Sequence, residues 1–276
     1  MSDIKSRVKL NNEIEMPLFG LGVYLSEEGE QCIEAVDYAL NEGYRLIDTA
    51  SFYANEKSVG KAVRQSSILR EEVFVTTKLW NSDHGYDEAL FAFEKSLKKL
   101  DIDYIDLYLV HYPVPGIRPK TWKAMERIYD EGMCKSIGVS NYMSNHLQEL
   151  LSVCNVPPVV NQIELSPFSY RARKATINTC LENNIVVQNY SPLTRGRKFD
   201  DPVVQELSIK YGKTPAQILL RWGLDRGFSV IPKSSNPGRI SENASIFDFR
   251  LDTEEKKALE KSDEGFLVCW DPGETE

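Results

Sequence analysis

The feature that most constrains this chain is an alternation. Eight short apolar runs are separated by amphipathic stretches, and most begin roughly 24–32 residues after the previous one, the length of a strand–helix unit. The runs span residues 16–20, 44–47, 73–77, 104–110, 135–139, 158–162, 185–188 and 228–231, with a longer gap before the last. Between them, residues 30–40 put Ile33, Val36 and Leu40 on one helical face. Residues 87–100 do the same with Leu90, Phe93, Leu97 and Leu100, and residues 145–153 repeat the pattern. Strand–helix repeated eight times predicts an α/β fold: a (β/α)8 TIM barrel forming one domain over residues 1–276. A doubly wound sheet is the alternative, but it needs a phosphate loop after its first strand. Gly20-Leu21-Gly22-Val23-Tyr24-Leu25 lacks the third glycine and opens no good helix.

Two segments lie outside the repeat. Residues 8–15 read as an N-terminal β-hairpin with an Asn11-Asn12 turn, placed to cover the barrel floor. Residues 252–262 read as an additional C-terminal helix, capped by Asp252 or Thr253 with Glu254 and Glu255 in its first turn. The tail after it carries Gly265, Pro272 and Gly273 and reads as a loop.

Composition removes other classes. At 42% hydrophobic residues, the chain can bury a large core without disulfides. The 33 Lys+Arg against 41 Asp+Glu give −8, which argues against a nucleic-acid partner but allows a small anion held by a local basic cluster. No stretch approaches the roughly 18–20 apolar residues of a membrane span, and Met1-Ser2-Asp3-Ile4-Lys5 has no signal-peptide core. Five scattered cysteines without a Cys-x-x-Cys pair predict free thiols, no metal site and a cytoplasmic location. Of the histidines outside the strand ends, His146 is expected on a helix surface, and His84 in a structural or solvent-facing turn.

Barrel enzymes carry their chemistry at the C-terminal ends of the strands. The second run leads to Asp48, the third to Lys78 and the fourth to His111, and Tyr53 follows Asp48 by one short loop. Together they make a proton-donating device. An ammonium near a phenol favours phenolate and is expected to lower the tyrosine pKa, and an aspartate fixes the lysine. A histidine beside the phenol orients a carbonyl or relays a proton.

The same residues sit in longer motifs. These are Gly43-Tyr44-Arg45-Leu46-Ile47-Asp48-Thr49-Ala50-Ser51-Phe52-Tyr53-Ala54-Asn55-Glu56-Lys57-Ser58-Val59-Gly60, Thr77-Lys78-Leu79-Trp80, Leu109-Val110-His111-Tyr112-Pro113, Gly138-Val139-Ser140-Asn141-Tyr142 and Asn161-Gln162-Ile163-Glu164. Ile231-Pro232-Lys233-Ser234-Ser235-Asn236 follows, with Arg239, Glu242 and Asn243. Over nearly the whole chain this resembles the aldo-keto reductases. The resemblance implies reduction of aldehydes and ketones, with Tyr53 as general acid, Lys78 and Asp48 behind it, and His111 orienting the carbonyl. It assigns a nicotinamide cofactor, the hydride source, to Gly22, Val23, Tyr24, Asp48, Ser140, Asn141, Gln162, Tyr190, Ser191 and Leu193. Tyr190 would stack on the ring, and the three polar residues Ser140, Asn141 and Gln162 would hold its carboxamide.

The resemblance also assigns Lys233, Ser234, Ser235, Asn236, Arg239, Glu242 and Asn243 to the cofactor's far end. Two cations beside hydroxyl and amide donors at a helix N-terminus suit a 2′-phosphate, so NADPH is expected over NADH. The basic loop 194–198 is either a clasp over the pyrophosphate or an exposed loop. Tyr24, Phe52, Trp80, His111 and Tyr112 are expected to bind the carbonyl substrate. The family often has Trp where this chain has Tyr24 and Tyr112, so a more polar pocket is expected. The short loop after His111 and the short tail imply an open site of broad specificity. The expected protein is a monomer without nucleic-acid or membrane partners. The alternative is a non-catalytic nicotinamide-binding regulatory subunit on the same barrel.

Overall fold

The structure, a computed structural model, describes residues 3–275. A hairpin of β1 (Arg7–Lys9) and β2 (Glu15–Pro17) precedes eight parallel strands. These are β3 (Leu21–Gly22), β4 (Leu46–Asp48), β5 (Phe74–Leu79), β6 (Leu107–Val110), β7 (Ile137–Ser140), β8 (Val160–Glu164), β9 (Val186–Tyr190) and β10 (Ser229–Val230). Neighbours in sequence are neighbours in the sheet, and parallel bridges Phe19–Val230 and Gly22–Lys233 join its two edges into a barrel. The helices outside the strands are α1 (Glu30–Asn41), α2 (Glu56–Gln65), α3 (Asp87–Leu100), α4 (Arg118–Asp130), α5 (Ser144–Leu151), α6 (Lys174–Glu182), α7 (Pro202–Tyr211), α8 (Pro215–Asp225), α9 (Pro237–Ala244) and α10 (Thr253–Lys261). None among the described residues is long and apolar enough to cross a membrane.

The two faces of each strand feed two cores. Leu46, Phe74, Leu107, Leu109, Val160 and Ile231 pack inside the barrel, whereas Ile47, Val75, Leu79, Tyr108 and Val139 pack outward against the helices. Leu10 and Met16 of the hairpin close the inner core from below. Asn11 and Asn12 reach the carbonyls of Pro158 and Lys135 at 3.0 Å, which ties the hairpin to the lower ends of β8 and β7. The floor hairpin is therefore present, with Glu13 as the left-handed residue of its turn (φ 72°).

Two details differ from the sequence reading. The run 16–20 is divided between the hairpin and the barrel wall. Pro17 has no N–H to carry a ladder onward, so Met16 stays in the hairpin, and bonding to β10 starts at Leu18, whose carbonyl accepts the Val230 N–H at 2.8 Å, ahead of β3. The long gap before the last run holds an extra helix, α7, besides the expected α10. The two pack together through Glu255, which accepts from the Tyr211 hydroxyl at 2.7 Å and pairs with Lys210. Asp252 is the N-cap of α10, in a reciprocal capping box with Glu255.

Helix α2 lies so close to α3 that a Cβ on Gly60 would stand 1.8 Å from the Leu100 carbonyl oxygen. Gly60→Ala must push the two helices apart. The expected cost is about 3 kcal/mol, read as a lower midpoint in denaturant titration; an unchanged midpoint would show that the contact yields freely.

Candidate active site

Strand parity decides which side chains reach the interior. Leu46 faces inward, so Asp48 does too; Phe74 and Thr76 lead to Lys78; Leu107 and Leu109 lead to His111. Three neighbouring strands thus deliver an aspartate, a lysine and a histidine to one rim. Tyr53 arrives from a single 3-10 turn (Ser51–Tyr53), pinned on both sides. Ser51 donates its hydroxyl to the Lys78 carbonyl at 2.9 Å. Asn55 accepts from Thr49 and donates to the carbonyls of Val23 and Ser26.

Lys78 has no exposed surface, and each hydrogen of its ammonium has an acceptor: Asp48 Oδ1 at 2.6 Å, the Thr49 carbonyl at 2.9 Å and the Tyr53 hydroxyl at 3.2 Å. Asp48 Oδ2 accepts from Gln162 Nε2 at 2.7 Å, which also donates to Gln188 Oε1. Burial raises the Asp48 pKa and lowers that of Lys78, each opposed by the other's charge. The Tyr53 phenol is not lowered as the sequence suggested. Burial, and then the Asp48 carboxylate, hold it well above its ordinary value. The lysine charge that was to lower it is already matched by Asp48. His111 is held well below the usual histidine value by burial and then by Lys78, so its ring is neutral at physiological pH.

These groups open on a cavity of about 500 Å³. Gly22, Tyr24, Asp48, Phe52, Tyr53, Trp80, His111, Tyr112, Ser140, Asn141, Gln162, Tyr190, Ser191 and Lys233 all line it, and Lys78 sits behind Tyr53. Phe52 stacks on Trp80 with centroids 3.8 Å apart, Trp80 meets His111 edge-on at 5.1 Å, and Tyr24 leans on Tyr53 at 4.9 Å. The Tyr190 hydroxyl donates to Asn141 Oδ1 at 2.8 Å, and Asn141 donates to the His111 carbonyl. Ser140 gives its hydroxyl to the Gln162 carbonyl.

Val23, Leu193, Ser234, Ser235, Asn236, Arg239, Glu242 and Asn243 do not line this cavity. The last six run on from Lys233 into α9 and along it, where Asn236 is the N-cap and accepts from the Arg239 N–H, and Glu242 and Asn243 lie in the last turn. Glu242 accepts from Thr214 at 2.7 Å, and Asn243 is buried.

Four readings need correction or completion. His146 is buried rather than on the surface, because its Nδ1 accepts the Met143 N–H at the start of α5 and its Nε2 meets the Thr275 carbonyl. His84 is structural, buried against Thr121, with burial lowering its pKa to about 4. The Tyr112 hydroxyl is engaged by Thr275 at 2.9 Å, a tie to the tail that the sequence does not show. The tail reaches the site: Leu267, Val268, Cys269 and Trp270 form one wall of the cavity, and Arg195 and Arg197 of the basic loop join it. The signal for that wall was an apolar run, Phe266 to Trp270, after the last helix.

The sequence model of the Aldo/keto reductase family matches residues 20–199 and 199–264. Methylglyoxal reductase DkgA of Escherichia coli is 48% identical over 270 residues, covering 96% of each chain. Glyoxal reductase of Bacillus subtilis is 42% identical over 273 residues, 99% of this chain and 98% of that one. Among solved structures, a Bombyx mori aldo-keto reductase in complex with NADP superposes with a TM-score of 0.88 at 37% identity, over 98% of this chain and 97% of that one.

The buried ion pair makes a stability test. Lys78→Met leaves Asp48 buried without its cation, and the expected loss is about 3–5 kcal/mol of unfolding free energy. Adding Asp48→Asn to Lys78→Met should recover part of it. Denaturant titrations in which the double variant is no more stable than Lys78→Met would show that the unpaired charge is not the cause.

Proposed function

The chain belongs to the aldo/keto reductase family, and on that premise we propose that it reduces small aldehydes, ketones and dicarbonyls of the methylglyoxal type with NADPH. The observation that carries this reading is Tyr53, whose hydroxyl touches the paired Lys78 and borders an aromatic cavity. Reduction converts C=O to CH–OH by adding a hydride at carbon and a proton at oxygen. A nicotinamide bound in the cavity supplies the hydride.

The residues present fit such a cofactor. Tyr190 offers a ring whose hydroxyl is already fixed by Asn141. Gly22 offers bare backbone, where a Cβ would come within 3.2 Å of the Ile231 carbonyl. Lys233 lies on the cavity, and the N-terminus of α9 follows it with Arg239 in its first turn. Two cations beside that helix end support a 2′-phosphate and hence NADPH.

Tyr53 supplies the proton. Its raised pKa keeps the phenol protonated until a substrate oxygen is presented. As the O–H bond breaks, negative charge builds on the phenol oxygen, and the hydrogen bond from Lys78 strengthens with it. His111, a neutral ring, offers an N–H to the carbonyl oxygen and so orients it without competing as an acid. Phe52, Trp80 and Tyr24 exclude water around the reacting carbon.

Two experiments test the reading. Tyr53→Phe should lower kcat for methylglyoxal reduction by about 10²–10⁴-fold while NADPH still binds. Full turnover by that variant would end the assignment, and absence of turnover in the unaltered protein would favour a regulatory nicotinamide-binding subunit instead. Separately, Lys233→Met with Arg239→Ala should raise KM for NADPH by about 10–100-fold and leave KM for NADH nearly unchanged. An undisturbed cofactor preference would remove the 2′-phosphate argument.

A further inference from the structure

Glu164 ends β8 and is only 5% exposed, yet neither the proton donor nor the cofactor residues use its carboxylate. Both of its oxygens are turned to the chain's far end: Oε1 accepts the Val268 N–H at 2.6 Å and Oε2 accepts the Cys269 N–H at 3.0 Å. The next residue, Trp270, leans over Trp80 with centroids 6.5 Å apart and over Tyr112 at 6.3 Å. Trp80 is itself the ring that meets His111. Further ties flank the strap. Phe266 N–H donates to the Phe168 carbonyl at 2.9 Å, Arg173 pairs with Asp271 at 2.9 Å, and Thr275 is held by Tyr112 and His146. Trp270 is nevertheless 66% exposed, so it presents apolar area that no other described residue covers.

We infer that Glu164 is a specificity-determining positioning residue: by fixing Val268 and Cys269 it holds Trp270 as the outer wall of the pocket, favouring carbonyl substrates with an aromatic or extended apolar body. The inference rests on the reductase reading above. A small carbonyl placed at Tyr53 and His111 touches the inner rings and ends there. A longer apolar body continues past Trp80, covers the exposed indole and gains that burial. The gain depends on the strap being fixed beforehand, because a loose segment must be ordered on binding. A buried carboxylate suits the task, since its two oxygens satisfy two adjacent backbone N–H groups at once.

The test compares propanal with 3-phenylpropanal, which share a reacting head and differ by one ring, using NADPH. In the unaltered protein, KM for 3-phenylpropanal should be the lower of the two. Glu164→Ala should raise it about 10-fold, with kcat and the KM for propanal within a factor of two. Glu164→Gln, which keeps one acceptor oxygen, should lie between. Trp270→Ala should match Glu164→Ala, and the double variant should add nothing beyond either. The proposal is overturned if Glu164→Ala shifts both aldehydes alike, or if the two substitutions are additive. Should Glu164→Ala fail to fold, an unchanged KM for 3-phenylpropanal in Glu164→Gln overturns it equally. Turnover of neither aldehyde by the unaltered protein would defeat the reductase reading itself, an outcome separate from any difference between variants.

Discussion

A lysine without exposed surface stays charged only where every hydrogen of its ammonium finds an acceptor and one acceptor carries a negative charge. Lys78 meets that condition through Asp48, Thr49 and Tyr53, and the rest of the site is arranged around it. The chain of polar contacts does not stop at the ion pair. It continues from Asp48 to Gln162, from Gln162 to Gln188, and from Gln188 to Ser229, crossing from β4 to β10. Below this layer the interior is filled by Leu46, Phe74, Leu107, Leu109 and Met16. The barrel thus holds a polar layer resting on an apolar plug, and that plug denies water an approach from beneath.

The pairing also explains the direction in which Tyr53 moves. A lone ammonium at 3.2 Å would draw the phenol toward ionisation. Matched to Asp48, it leaves burial as the largest influence, and burial favours the neutral phenol. The tyrosine therefore holds its proton at rest, while the hydrogen bond that would stabilise its anion under the proposed function is already formed. Preorganisation of this kind acts on the charge that appears during reaction and leaves the resting state undisturbed.

Much of this was legible because a strand has a period of two. Once Leu46, Phe74 and Leu109 are placed inside, the residues at the ends of the same runs must follow them, and Asp48, Lys78 and His111 are those residues. The hairpin and α10 were legible from turn and cap residues for similar local reasons. The errors arose where partners are distant in sequence. The run at 16–20 is divided between floor and wall because Pro17 interrupts the ladder, which an apolar pattern alone does not register. His146 reads as a polar helix position until Thr275 arrives from the other end of the chain. The tail is a loop, as it reads, but its part in the cavity wall is not legible locally, because its hydrogen bonds go to Glu164, Arg173 and Tyr112, none of them nearby in sequence. The roles given to Ser234 through Asn243 depend on a ligand that extends beyond the cavity.

Two kinds of attachment are therefore combined in one cavity. The reacting layer is built on strand ends, fixed by the ladder and by the buried ion pair. The outer wall is built on the tail, fixed by a carboxylate, an ion pair and a histidine tautomer. Tyr112 connects them, since it follows His111 directly and its hydroxyl holds Thr275. Charge is partitioned in the same way. The chain carries −8, yet Arg195, Arg197 and Lys233 line the cavity, and Asp48, the acidic residue lining it among the described residues, is already matched by Lys78. Under the proposed function, an anionic cofactor would meet a local positive field on an acidic protein. The substrate meets aromatic rings, neutral His111 and the protonated phenol. On the proposed reading, substitution in the strap alters which carbonyls bind without touching Tyr53, Lys78 or His111.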